Sequence, residues 1–585
     1  MRLVPLALWV LLLAAWAPTA LAEREAFDAY GIPSLAAIND AYATGEIDRA
    51  QALIHRVQAL KSPHLLPERF RLPGGDLKCG TAILLEAYEE LEAMGRGDAL
   101  GDLRARPTNL LNSRITAHFK IHYTLSGSDA VTEAYVDVIE AACEISWSSF
   151  HTTYVWDVPP GDGAAGGGWN LTDIYIHALG GGTMGMAEKE SNVPPDPPYS
   201  DMTGFIHINT NLTANQARVT TAHEYMHIIQ YGYNAGSTNS WFMENCAMMG
   251  EEYSYDNIND YRGYLSAWFG PIYFPMYTHN GQFEYGQITW PMYLTERHEA
   301  ALVEDIWSRL RWTYSYFDII NAALAPYGYD VDTSFDELKI WGVYTAFRND
   351  GQHFEEAGTW SSYYYPDRTH NTYPTGNQNP TPAKRPNRLG SSFNGFLRQT
   401  GSTDNTLRVT FNGPSCTIAV TFFRKLVGVP GHTEFYMDLD ANGDGVIEIP
   451  DFDQSEWVMM LTNMSLYCSG AMDYTYSAET TTGAQALDEE LAQTRVRMFL
   501  NHPNPVLDRT VLAYALPRAG AVDLRIVDAS GRLVRRLFSG EQRPGSYEIL
   551  WNRADDAGRP VAGGVYYAVA RVDGREITRQ MTVLR

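Results

Sequence analysis

The run Thr220-Thr221-Ala222-His223-Glu224-Tyr225-Met226-His227-Ile228-Ile229-Gln230 constrains this chain more than any other segment. It contains one H-E-x-x-H. As a helix it places His223 and His227 on one face, one turn apart, where two imidazoles can bind a single Zn²⁺. Glu224 sits roughly 100° around the helix, where a carboxylate can reach a metal-bound water. The competing reading is a helix whose two histidines pack against polar neighbours.

The sequence that follows favours the metal. Trp241 to Glu252 reads as a second helix with a carboxylate, Glu244, near its start. A catalytic zinc takes three protein ligands and leaves one position open, so Glu244 is the natural third ligand. Tyr231 to Ser240 carries Gly232, Asn234, Gly236, Ser237 and Asn239, a loop composition that lets the second helix turn alongside the first. Glu251 and Glu252 are rival ligands. Glu251 shares a face with Glu244 and is expected to orient a histidine from behind; a solvated helix end is the alternative for both. A donor for the oxyanion on a scissile carbonyl is also required. Tyr285, in Phe283-Glu284-Tyr285-Gly286-Gln287, is the candidate, with Tyr231, Tyr233 and His279 as rivals. In so aromatic a region, core packing is the alternative for each.

Composition sets the compartment. Residues 1–22 read as a signal peptide: Arg2, an apolar run from Leu3 to Trp16, and Ala20-Leu21-Ala22 before Glu23. No later stretch approaches the roughly 20 apolar residues of a membrane helix. The expected mature chain is exported, without a transmembrane segment. A formal charge of −25 disfavours nucleic acid and anionic membranes as partners. Five cysteines are present. Cys416 with Cys468, and Cys143 with Cys246, could pair in an oxidising compartment. That leaves Cys79, in Lys78-Cys79-Gly80-Thr81. A lone pro-region thiolate can block the open position of a zinc, as in cysteine-switch zymogens; the alternative is an ordinary buried or free thiol.

Pattern along the chain predicts a multidomain protein. Residues 23–113, rich in Ala, Leu and Glu at helical spacing, form a helical leader or pro-region. Residues 114–362 form an α+β domain, zincin-like and catalytic by the family resemblance of its H-E-x-x-H and Glu244 segments. Its strands are His118 to Tyr123, Thr172 to His177 and Gly204 to Asn209, with a helix from Asp129 to Phe150. Gly180 to Gly182 is a turn or flap, and not a phosphate loop, because no Lys-Ser/Thr follows. Residues 363–390, rich in Pro, Asn and Thr, read as a linker. Residues 391–487 form a β-sandwich, Asp488 to Thr494 a polar hinge, and 497–585 a small antiparallel Ig-like sandwich.

Within the first sandwich, Asp440 to Asp451 matches a Ca²⁺ loop. Asp440, Asn442, Asp444, the Val446 carbonyl, Glu448 and Asp451 stand at the ligand offsets, with Gly445 at the sharp turn and Asp451 in place of the usual Glu. The site would be structural. An ion-free Asp/Gly hairpin is the other reading.

Two resemblances follow from these residues. Roughly His118 to Trp307 resembles a group of secreted bacterial metalloproteases of gluzincin type. The matching features are Val219-Thr220-Thr221-Ala222-His223-Glu224-x-x-His227-x-x-Gln230, Trp241-x-x-Glu244-x-x-Ala247-x-x-x-Glu251 and Glu284-Tyr285-Gly286. The resemblance implies His223, His227 and Glu244 as zinc ligands and Glu224 as the base. The His227-to-Glu244 separation is shorter than in thermolysin-like enzymes, and Asn245 stands where related aminopeptidases often have Gly. The last ~90 residues resemble the FlgD-like Ig module, similar to the type A sorting domain of type IX secretion. The matches are Asn501-His502-Pro503-Asn504-Pro505, Tyr514-x-Leu516-Pro517, Asp528-x-Ser530-Gly531-Arg532, Trp551, Asp556-x-Gly558 and Gly564-Val565-Tyr566. Together they imply a Gram-negative protein, secreted or on the outer surface. The expected activity is zinc-dependent endopeptidase, hydrolysing protein or peptide through a metal-bound water with Glu224 as general base. The alternatives are an aminopeptidase, or a catalytically silent surface adhesin on the same scaffold.

Overall fold

The computed structural model describes residues 32–481 and 497–583, apart from 164, 167–169, 193–201, 312–314, 499–505, 507–508, 517–518, 529, 544 and 573–574. The expected signal peptide, the hinge at 488–494 and the Asn501 to Pro505 motif lie outside the described residues. The chain divides into two units. One comprises residues up to 268 with 277–295 and 300–319; the other comprises 269–276, 296–299 and 320 onward. Residues 320–362, expected in the catalytic domain, therefore belong to the second unit.

The leader opens the first unit with α1 (Pro33–Ala43) and α2 (Arg49–Lys61), separated by Gly45 in the left-handed region at φ 74°. Asp48 and Gln51 form a capping box that starts α2, worth about 1 kcal/mol. A short strand, β1 (Leu77–Cys79), leads into α3 (Thr81–Ala93). Ile38, Leu53, Val57, Leu60, Leu84, Tyr88 and Leu91 are almost fully buried in one core with Met186. Met186 belongs to the six-stranded sheet of this unit, so the helical N-terminal region shares its core with that sheet.

That sheet has the order β1-β5-β6-β4-β3-β2. Its members are β2 (Asn112–Ile115), β3 (Phe119–Tyr123), β4 (Thr172–Ile176), β5 (Thr183–Asn192) and β6 (Met202–Ile208). β3, β4 and β6 run parallel; β5 is antiparallel to β6, and β1 pairs parallel with β5. β5 was not foreseen: the Gly180 to Gly182 turn runs directly into it. Helix α4 (Glu133–Trp147) follows β3. The metal-motif helix is α5 (Ala214–Tyr231), begun by a Thr213–Gln216 capping box. Every residue from Val219 to Tyr231 in it is buried, which marks a central helix covered all round. Helix α6 (Ser240–Tyr255) packs beside it. At Gly250 a Cβ would stand 3.3 Å from Met226 Cβ and 3.1 Å from Phe150 Cζ. The missing side chain lets α6 approach α5 closely.

In the second unit the expected sandwich is present. A five-stranded sheet, order β11-β10-β13-β8-β7, and a three-stranded sheet, order β12-β9-β14, supply a shared core that includes Phe396, Val409, Phe422, Ile447, Met460 and Tyr476. The strands are β7 (Arg368–His370), β8 (Ser391–Phe396), β9 (Thr406–Asn412), β10 (Thr417–Leu426), β11 (Thr433–Tyr436), β12 (Asp444–Ile449), β13 (Ser455–Met464) and β14 (Thr475–Thr481). The stretch 363–390 is not a free linker. Tyr363, Tyr364 and Leu389 are buried, and β7 pairs with β8. Cys416 and Cys468 form a disulfide. The Cys143–Cys246 pairing is corrected: both are buried free thiols. Cys143 lies beside Tyr225, whereas Cys246 reaches the Trp307 indole.

The Ca²⁺ ligand set does not converge, which corrects that expectation. Asp440 caps its own turn, accepting from the backbone of Asn442 (2.8 Å) and Asp444 (3.1 Å). From Asp444 the chain then runs straight along β12, about 16 Å at ~3.3 Å per residue. Val446 and Glu448 lie along that strand. Asp451 is past its end, paired with Arg424 at 2.9 Å. The last seven strands among the described residues are β15 (Arg497–Met498), β16 (Thr510–Leu516), β17 (Gly520–Asp528), β18 (Leu533–Gln542), β19 (Gly545–Trp551), β20 (Gly564–Val572) and β21 (Arg575–Val583). They form two sheets, orders β15-β16-β19 and β18-β17-β20-β21. Trp551 and Leu524 are buried at their centre.

Candidate metal centre

Four donor groups meet on α5, α6 and β1. Cys79, His223, His227 and Glu244 are all buried, and their ligand atoms lie within 4.8 Å of one another. Glu244 Oε2 is 3.1 Å from His223 Nε2 and 3.6 Å from His227 Nε2. Cys79 Sγ is 3.4 Å from His227 Nε2. A tetrahedron with arms of about 2.0–2.3 Å has edges of about 3.3–3.8 Å, so these separations and the S/N/N/O donor set fit a zinc ion.

The outer nitrogens fix the tautomers. His223 Nδ1 donates to Glu251 Oε1 at 2.7 Å, and His227 Nδ1 donates to Gln230 Oε1 at 2.7 Å. Gln230 is held in turn, its amide donating to the Met243 carbonyl at 3.0 Å. Both Nε2 atoms are thereby left to face Glu244 and the thiol. Lys78 Nζ lies 2.8 Å from Glu251 Oε2 and 2.5 Å from Asp260 Oδ2.

Glu224 turns toward the same point from the next position on α5. Its Oε2 accepts from the Thr81 hydroxyl at 3.1 Å and lies 3.5 Å from Cys79 Sγ. Its buried Oε1 has no hydrogen-bond partner. β5 presses on α5 here. A Cβ at Gly185 would lie 2.6 Å from Thr220 Cγ2 and 2.8 Å from Glu224 Cγ, so only glycine lets the strand pass.

Charge is finely set in this volume. Burial by itself would raise the Glu244 carboxyl, but His227 and His223 outweigh it and hold Glu244 well below the usual carboxylate range. Burial raises Glu224, with Glu244 adding to the shift against the two imidazoles. Burial, then Glu224 and Glu244, pushes the Cys79 thiol well up. His227 is raised because Glu244 and Glu224 overcome its burial, while His223 is lowered by burial. Two carboxylates, a thiol and two imidazoles thus share one buried volume, a donor set that could hold a cation.

The remaining expected residues fall as follows. Tyr285 is buried, its ring centroid 6.2 Å from that of His223, and its hydroxyl donates to the Cys79 carbonyl at 3.4 Å. The rivals are engaged elsewhere. Tyr231 donates to the Ala187 carbonyl, Tyr233 to Glu304, and His279 pairs with Glu284. Glu252 is only part-buried and is not among the converging donors. Lys78, Thr81, Asp260 and Gly185 were missed. Only the adjacency of Lys78 and Thr81 to Cys79 offered a signal.

Comparison with known proteins bears on the other end of the chain. The FlgD Ig-like domain family matches residues 509–575. There Asp528 closes a turn by accepting from the backbone of Ser530 and Arg532 around Gly531 at φ 82°. No curated protein matches the chain. Among solved structures, the chain is similar to PorZ, a surface component of the type-IX secretion system of Porphyromonas gingivalis. Identity is 24% over 19% of this chain and 14% of that one, with a TM-score of 0.12. Latent PorU from Porphyromonas gingivalis matches at 15% identity over 38% of this chain and 19% of that one, TM-score 0.17. The DNA glycosylase AlkC of Pseudomonas fluorescens matches at 16% identity over 16% and 32%, TM-score 0.12. The chain thus spans less than a third of the length of each. No helix among the described residues is long and apolar enough to cross a membrane.

Proposed function

We propose that this chain is an exported zinc-dependent endopeptidase made as a latent precursor. The supporting observation is the convergence of Cys79, His223, His227 and Glu244 within 4.8 Å, with Glu224 beside them. His223, His227 and Glu244 would hold the ion, and Cys79 would take the fourth position while residues 23–113 remain attached. Zinc bound there would polarise a peptide carbonyl and ease the ionisation of water. Glu224 takes the proton of the attacking water and passes it to the leaving amine. The Tyr285 hydroxyl, placed on the Cys79 carbonyl in the precursor, donates to the oxygen that gains charge on the scissile carbonyl. The leader-like residues 1–22 and the FlgD Ig-like match support a secreted or outer-surface location in a Gram-negative cell. The type IX machinery is the partner for export.

The test is hydrolysis of casein by the processed chain, with and without a chelator. Activity that survives zinc removal overturns the reading. An adhesin on the same scaffold is favoured by one observation, the β-sandwich of residues 391–481 followed by the FlgD Ig-like match. Bound zinc with no hydrolysis of any peptide after the leader is removed would establish it.

A further inference from the structure

Lys78 has a side chain that the chemistry above does not use. Its side chain is only 1% exposed, and so is that of Glu251; Asp260 is 31% exposed. The ammonium lies between the two carboxylates at 2.8 and 2.5 Å. Tyr264 stands beside it, its ring stacked edge-on against Tyr285 with centroids 5.2 Å apart. Every group that receives the ammonium belongs to the catalytic part of the unit: Glu251 on α6, Asp260 and Tyr264 in the turn after it. The ammonium alone belongs to the leader. Lys78 also directly precedes Cys79, whose carbonyl is held by Tyr285. The leader thus lays a backbone carbonyl beside the metal donors and an adjoining lysine into a fitted acidic pocket.

Resting on the peptidase reading, we propose that this pocket is the specificity pocket of the processed enzyme, and that it selects a lysine side chain next to the scissile bond. When the leader departs, Glu251 and Asp260 lose their cation. Two facing carboxylates, one of them deeply buried, are costly without a counter-charge. The part-exposed Asp260 gives a new ammonium a way in. Lysine suits the pocket as a point charge on a slim stem; the planar, forked guanidinium of arginine is a different shape. Occupation also engages Glu251, whose other oxygen holds His223, so a correct substrate steadies the metal ligand it is about to use. Lys78 is then a substrate side chain built into the leader.

Two experiments decide it. In the full chain, Lys78→Ala empties the pocket, and Lys78→Met keeps its bulk without charge. Both are expected to melt lower than wild type. n-Butylammonium should restore the melting temperature of Lys78→Ala, whereas n-butanol should not; equal rescue by both, or rescue by neither, overturns the pocket. Lys78→Met, with no cavity, should respond to neither. The second experiment cleaves a peptide series with the processed chain. Lysine beside the cleaved bond should be preferred over norleucine by about tenfold or more. Asp260→Asn should lower that ratio toward one. Cleavage without lysine preference, or a preference that vanishes when the peptide N-terminus is acetylated, overturns the assignment, the latter giving the pocket to a terminal amine. If no peptide is cleaved, the peptidase reading fails, and the butylammonium result still decides the pocket.

Discussion

Cys79, in the N-terminal region, and His227, on α5, meet with sulfur and Nε2 3.4 Å apart. The contact depends on β1 pairing with β5, Leu77 opposite Thr183 and Cys79 opposite Gly185. If the thiol fills the fourth position of a bound zinc, its replacement frees that position. Cys79→Ser is expected to raise the peptidase activity of the full-length precursor at least tenfold with zinc content unchanged. An equally silent precursor would show that latency lies in steric cover alone.

Glu224→Gln keeps the shape of the side chain and removes its basicity. The expected loss in kcat is about 10²–10⁴-fold, with KM and bound zinc little altered, because Glu224 is not one of the four converging donors. Zinc analysis beside the rate assay checks both halves.

The approach of the two helices that bring His223, His227 and Glu244 together was legible because its information is local. The spacing of His223, Glu224 and His227 needs only a helix, and the following Gly- and Asn-rich loop needs only to turn. The position of Glu244 beside the two histidines was readable for the same reason. Lys78 and Asp260 were not, since they meet over a sequence separation of 182 residues. β5 was hidden by its polar sequence: Glu188 and Lys189 face ion-pair partners from the leader, Lys61 and Glu89, so the strand lacks an apolar alternation. The Ca²⁺ offsets misled because spacing alone does not curl a chain; Val446 to Ile449 pair with β9 instead.

Gly185→Ala tests how tightly β5 is laid on α5. A Cβ 2.6 Å from Thr220 Cγ2 forces strand or helix to shift. Overpacking of this kind costs about 1–3 kcal/mol. A lower melting temperature, with still weaker activity in the processed form from the displaced Glu224, is expected; calorimetry and the rate assay measure the two effects.

Acid should loosen the leader. Lys61 and the Tyr88 hydroxyl reach Glu188, which His207 contacts at 3.0 Å, and His207 contacts His177 at 2.7 Å. Burial, then His207 and Lys61, holds His177 below the ordinary imidazole range; burial, then Lys61 and Arg106 against the pull of Glu188, does the same to His207. Glu188 would be raised by burial, but Lys61 and His207 bring it low. At all three the folded chain binds fewer protons than the unfolded one. Their stabilisation is therefore complete above about pH 6.5 and is lost as the pH falls, with Glu188 adding to the loss below about pH 4.3. Melting curves of the precursor from about pH 8 to about pH 5 should fall toward acid, and His177→Gln should flatten the slope.

Met186 has a last consequence. One methionine of the six-stranded sheet closes the hydrophobic interior of residues 32–103, so the two regions share one core. A molecule stripped of residues 23–113 would carry an unpaired edge and an uncovered apolar spot, and once denatured it would lack the template on which that edge was first laid. If residues 23–113 are removed, as the proposed function requires, the processed chain would have to refold without the strand and core they supplied.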